Sequence, residues 1–342
     1  MVTLQELPTE LLSQIFSYLA WDKPLLRNLA LQCHCLSLAV RPVLLRTLAL
    51  TPNGGASSLK LDLLNRSICE NSQLSDMVRS VSLNWSESNV KLHGNIESIL
   101  GRLTALRVLK VINNSDHACF NHNFLEVNEM KQLTEVTLND TNFTVENLAC
   151  YIFLENIHHL TVLWLRNPTP PTFDILGWPE AEWSLPTLPK NKTPGSSNVA
   201  LLDLGPIFHL PEPVLKEILS WPKALKRLRS TIPGNDLPGR FGVSKKLSTV
   251  LSPASISRAL SPTKDSLKYL ELIDNGCEWP GHEETQMDLS DFRSLRQIYV
   301  PSTCFFRNFT YGAKREGMYA LLPLSLVELR ESPPQFPTLS YY

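Results

Sequence analysis

Three stretches decide the fold: LRVLKV at 106–111, LTEVTL at 133–138 and LTVLWL at 160–165. Each repeats apolar-x-x-apolar-x-apolar, as Leu106-Leu109-Val111, Leu133-Val136-Leu138 and Leu160-Leu163-Leu165, with starts 27 residues apart twice over. A fixed period of this length outranks any local motif. Further copies begin at Leu45, Val78, Val199, Leu225, Leu267, Leu295 and Leu326. Helical spacings run between them, such as Ile96-Ile99-Leu100-Leu103 and Val145-Leu148-Ala149-Ile152-Phe153. A single strand and helix cannot bury its own apolar side, so neighbours must stack, with parallel strands and helices as the crossovers.

This pattern predicts an α/β fold: a leucine-rich-repeat horseshoe over 49–342, with a parallel β-sheet on its concave side. Side chains alternate along a strand, so the residue between the last two apolar positions of each copy points outward. The outward set is Ser82, Lys110, Thr137, Trp164, Asp203, Arg229, Glu271, Tyr299 and Arg330. Its mixture of charge, hydroxyl and ring suits a protein target better than a phosphate backbone or a lipid. Trp164, Arg229 and Tyr299 are the candidate anchors. A slip of one residue would carry the whole set into the core, so its members stand or fall together. Two spacings are too long for the rhythm. The intervening segments 167–198 and 231–266, rich in proline, glycine and polar residues, read as long loops. The first holds Trp178 and Trp183, a residue type favoured at binding hot spots.

The first fifty residues obey another period. In LPTELLSQIFSYL, 7–19, Leu11, Leu12, Ile15, Phe16 and Leu19 are spaced as one stripe of a helix beginning near Pro8. Asp22 is placed to cap a second helix carrying Pro24, Leu25, Leu26, Leu29 and Ala30. Leu36, Leu38, Ala39 and Val40 suggest a third, ending near Pro42. So small a segment cannot bury all these side chains internally, and each left in water forgoes roughly 1.5–3 kcal/mol. Some of this surface is left for the rest of the chain or for a partner.

The run Leu7-Pro8, Glu10-Leu11-Leu12, Ile15, Tyr18-Leu19, Leu29-Ala30-Leu31, Cys33, Leu36-Ser37 and Arg41-Pro42-Val43-Leu44-Leu45-Arg46-Thr47-Leu48 resembles the F-box, especially its fungal form with a leucine-rich body. The resemblance covers residues 1–48. It implies a three-helix F-box module that docks onto the small adaptor of SCF-type cullin-RING ubiquitin ligases, and through it a cullin. By the same resemblance Leu7, Pro8, Leu11, Leu12, Ile15, Phe16, Leu19, Leu26, Leu29 and Leu36 are the adaptor-binding residues. The helix pattern recurs as LPEPVLKEILSW at 210–221, where Pro222 and the strand Leu225-Lys226-Arg227-Leu228 follow at once, so that copy reads as a repeat helix.

The remaining signals narrow the function. Net charge is −1, from 32 basic and 33 acidic residues, so no global field calls for nucleic acid or an anionic membrane. MVTLQELPTELL lacks the parts of a secretory signal, and no stretch has the length and apolarity of a membrane span. A cytoplasmic or nuclear protein with free thiols is expected; its seven cysteines show no paired spacing. His117-Cys119-His122 and Cys33-His34-Cys35 are compact, but neither has the second ligand pair that a metal site needs. His158-His159 reads as a solvated turn. No nucleophile elbow, phosphate loop or dinucleotide fingerprint is present. The expected protein is non-catalytic and binds no cofactor or metal. A leucine-rich scaffold outside any ligase, and an enzyme with a concave site, are the alternatives.

Overall fold

The computed structural model describes residue 4 and residues 7–51, 55–85, 90–113, 130–140, 143–163, 165, 185–206, 210–232, 251–274, 286–301, 304–305 and 318–331. The chain divides into two compact units, Met1–Val136 and Thr137–Tyr342. Among the described residues, helices are interspersed with ten strands that follow one another in sequence order, which makes the fold α/β. Among the described residues no helix is long and apolar enough to cross a membrane.

Unit 1 opens with three helices, α1 (Thr9–Tyr18), α2 (Lys23–Ala30) and α3 (His34–Leu45). Asp22 caps α2 as expected, its carboxylate accepting from the Leu25 N–H at 3.0 Å. Leu12, Phe16, Leu26, Leu36, Ala39 and Val40 form the bundle's own core, and Leu7, Leu19, Leu29, Val43 and Leu44 pack around it. Contrary to expectation, α3 does not end at Pro42 but runs through it to Leu45. Proline removes one helical bond and crowds the carbonyl four residues back. That carbonyl belongs to Leu38, half exposed, where water can reach it, while Val43 and Leu44 gain packing against the core.

The helices lead into β1 (Thr47–Leu50), α4 (Gly55–Glu70), α5 (Ser72–Met77), β2 (Ser80–Trp85), α6 (Val90–Arg102) and β3 (Val108–Asn113). β1, β2 and β3 pair in parallel, with Leu48 opposite Val81 and Val81 opposite Leu109. β4 (Glu135–Asp140) contains the boundary between the units. A shared device sets where these strands start: the Arg46 carbonyl accepts from the N–H groups of Arg79 and Ser80, and the Arg79 carbonyl from those of Arg107 and Val108.

Unit 2 continues with α7 (Val145–Ile152), β5 (His159–Val162), β6 (Leu201–Pro206), α8 (Glu212–Ser220), β7 (Arg227–Ile232), α9 (Pro253–Ala259), β8 (Tyr269–Asp274), β9 (Gln297–Val300) and β10 (Glu328–Glu331). β5 through β10 pair in parallel and in order. The inward ladder Leu160, Leu202, Leu228, Leu270 and Ile298 is buried throughout. Trp221 is buried after α8, its indole N–H donating to Glu217 at 3.1 Å and its ring 5.7 Å from Phe153. Arg258 of α9 holds Glu212 of α8 in a two-pronged bond of 2.9 and 2.7 Å. At Gly205, beside the bulge between β6 and β7, a Cβ would lie 1.9 Å from the Leu163 carbonyl oxygen, so no larger residue fits.

Two expectations need correction here. Residues 251–266 are not a loop: Ser252 caps α9 by accepting from the Ser255 N–H, Pro253 takes its first turn, and Ile256 and Ala259 are buried. A 3-10 turn, Ser261–Thr263, follows. The third copy of the repeat does not start at Leu160 either. Ile157, Leu160 and Val162 occupy the apolar positions and are buried, whereas Leu163 is exposed. IHHLTV and LTVLWL both satisfy the pattern, and pairing with Leu202 and Leu204 selects the first.

Candidate functional site

Two surfaces carry the residues singled out by the sequence. The first is on the helical module. Leu12, Phe16, Leu26 and Leu36 lie in the bundle core, so they shape the module and cannot themselves meet a partner without unfolding it. Leu7, Leu19 and Leu29 are half-buried, and Pro8 is exposed at the start of α1. Leu11 is 47% exposed, Ile15 39% and Tyr18 82%. Their spacing puts these three on one side of α1, away from the Leu12-Phe16 stripe. Leu4, Trp21, Leu25, Leu31 and Leu38 add to the exposed apolar surface of residues 4–45.

The second surface is the outward side of the unit 2 strands. Strand pairing lines up Thr161, Asp203, Arg229, Glu271, Tyr299 and Arg330 directly opposite one another, one per strand. Asp203, Arg229, Glu271, Tyr299 and Arg330 were expected in this row. Thr161 takes the place expected of Trp164, because the repeat begins three residues earlier; Trp164 itself lies outside the described residues, as do Trp178, Trp183 and His117-Cys119-His122. Thr137 is half-buried in β4. In unit 1, Ser82 and Lys110 face each other across β2 and β3.

A second row, two residues upstream on each strand, escaped the sequence reading: His159, Leu201, Arg227, Tyr269, Gln297 and Glu328. Alternation alone could have found it, since residues i and i+2 of a strand share a side. His159 belongs to this row and not to a solvated turn. Its Nε2 lies 3.4 Å from Asp203 and 3.2 Å from the Thr161 hydroxyl.

The two rows are knitted together by charge. Arg227 approaches Asp203 at 4.0 Å and Glu271 at 3.7 Å, and Arg229 approaches Glu271 at 3.4 Å. None of these contacts is a hydrogen bond at its arginine Nε, and Asp203 Oδ1 is likewise buried without a partner. Further along, Arg227 sits over the Tyr269 ring, Tyr269 packs on Tyr299 at 5.1 Å, and Arg330 sits over Tyr299. Tyr269 donates to Glu271 at 2.9 Å and Tyr299 to Glu328 at 3.0 Å. Burial, then the bond to Glu271, pushes the Tyr269 phenol up to about 12. Tyr299 is raised by burial and then by its own bond to Glu328, and that bond holds Glu328 below the usual carboxylate range. These locked rings and forks form a stiff polar platform, which can orient a polypeptide.

Among the described residues no group of three or more His, Cys, Asp or Glu is placed to hold a metal ion. No family model matches the chain, and no curated protein matches it.

Proposed function

We propose that the chain is the substrate-recognition subunit of an SCF-type cullin-RING ubiquitin ligase. The α1–α3 module holds the adaptor, and through it a cullin, while the outward side of the strands holds a protein target. The observation carrying this reading is the stripe Leu11-Ile15-Tyr18 beside Leu7-Pro8, apolar and exposed on a bundle that already has a complete core. Each such side chain left in water forgoes roughly 1.5–3 kcal/mol, which a docked partner recovers. The receptor is non-catalytic: other subunits carry the activated ubiquitin, and its own contribution is proximity and choice. Its work belongs in the cytosol or nucleus.

The test is capture of the purified adaptor by the full chain, with Leu11→Asp and Ile15→Asp as variants. Both positions are exposed, so helix content should hold while capture is lost. No capture by the wild type, or equal capture by both variants, sinks the proposal. On the other surface, Arg229→Ala and Tyr299→Ala should weaken a target once one is known.

One observation favours a second reading, that α1–α3 are only a cap on a repeat scaffold outside any ligase. A single residue, Arg46, separates α3 from β1, and its carbonyl starts β2. Repeat arrays need such caps. Under this reading, deleting residues 1–45 unfolds unit 1 and the adaptor binds neither form.

A further inference from the structure

The register of unit 2 also organises the turns where its strands begin. The Lys226 carbonyl accepts from the N–H groups of Lys268 and Tyr269, that of Lys268 from Arg296 and Gln297, and that of Arg296 from Val327 and Glu328. Lys226, Lys268 and Arg296 therefore hold equivalent places immediately before β7, β8 and β9, about 4.8 Å apart from strand to strand. Each has a second cation in the same turn: Lys223, Lys264 and Arg293 respectively. All six are exposed, and among the described residues none forms an ion pair or a side-chain hydrogen bond.

Two ordinary explanations fall short in magnitude. Helices α8 and α9 end toward these turns, and each C-terminus presents about half a negative charge, so together they balance about one cation. Asp265, Asp288 and Asp291 share the segments and offset three more. The edge keeps a positive excess in a chain whose net charge is −1. Like charges held at strand spacing repel one another, so the row gives the isolated fold nothing.

We infer that this edge of unit 2, centred on Lys226, Lys268 and Arg296, docks an acidic peptide segment of a partner protein. A single-stranded nucleic acid fits less well, because the turns offer no exposed aromatic ring for bases to stack on: Trp221 and Phe292 are both buried. Asp265 and Asp291 also interrupt the cations. A peptide can set neutral residues against them, whereas a polynucleotide carries a phosphate at every step. The inference is independent of the receptor reading, since it uses neither the helical module nor the outward side of the strands.

A short fluorescent peptide of alternating Glu and Ser, titrated into the full chain and followed by anisotropy, tests it. Binding should weaken steadily as salt is raised. The triple variant Lys226→Glu, Lys268→Glu, Arg296→Glu should lose at least about tenfold in affinity, the effect of removing three exposed ion pairs. The neutral triple to Gln should lose less, and Lys60→Ala, at an exposed position of unit 1, nothing. Thermal melts of both triples confirm the fold. The inference is overturned if the wild type does not bind at low salt, if both triples bind as the wild type does, or if an oligothymidylate of equal length binds more tightly.

Discussion

Helices α1 and α8 are written in nearly the same letters, LPTELLSQIFSY from residue 7 and LPEPVLKEILSW from residue 210, yet they end in different surroundings. In α8 and the residue after it, Val214, Leu215, Ile218, Leu219 and Trp221 are all buried. In α1 the matching Leu12 and Phe16 are buried, while Leu11, Ile15 and Tyr18 are left in solvent. The repeat helix is covered on a wide arc by its own unit; the module helix is covered on one narrow stripe. The same apolar pattern thus encodes a structural element in one place and an unfilled surface in the other, and only the elements packed around it tell them apart.

The largest expected contrast lies at the ends of the two helices. Trp221→Ala should cost about 3–5 kcal/mol in denaturant unfolding, as for a fully buried large aromatic. Tyr18→Ala should stay within about 0.5 kcal/mol, as for an exposed position without special contacts. Ile218→Ala against Ile15→Ala repeats the contrast one turn earlier, at about 2–5 kcal/mol against less than about 1. Equal losses within either pair would mean that α1 is covered in solution as thoroughly as α8.

Ser230 sharpens how complete the body's core is. It occupies an inward place opposite Leu204 and Leu272, and its buried hydroxyl has no partner. Ser230→Ala should therefore stabilise the chain, by about 1 kcal/mol, because an unmet buried hydroxyl is removed. Arg258→Ala breaks the fork that ties α9 to Glu212 on α8. Its guanidinium is largely exposed, so the loss should be at most about 1 kcal/mol and smaller at high salt.

The finest probe is titration of Tyr269. Its folded-state value of about 12 lies above the ordinary phenol value near 10. The native state holds that proton more tightly, so the associated stability is intact below about pH 10 and fades as pH rises through about 12. A phenolate absorbance step near pH 12 that shrinks by one tyrosine in Tyr269→Phe is the expected result.

Much of this was legible in the letters. Inward positions such as Leu109, Leu202 and Leu270 declare themselves by spacing, because burial demands apolar residues there whatever the function. The outward row from Asp203 to Arg330 followed once the inward one was known. The misreadings arose where two solutions satisfy the same spacing. Leu163 and Leu165 continue an apolar run past Val162, so sequence alone could not choose between Ile157 and Leu160 as the start. Helix α9 hid among serines and prolines because Pro253 and Ser255, which read as loop residues, serve there as first turn and cap contact. On α1 the stripe was visible, but which of its members face inward depends on α2 and α3.

The junction at Arg46 has a mechanical consequence. With one residue between α3 and β1, the Arg46 carbonyl engaged by β2, and the Lys23 ammonium donating to the Thr47 carbonyl at 3.4 Å, the helical module is joined to the first strands without a linker. A partner docked on α1 would therefore be carried close to β1, like a tool on a short handle, with its reach set by the fold instead of by the length of a tether.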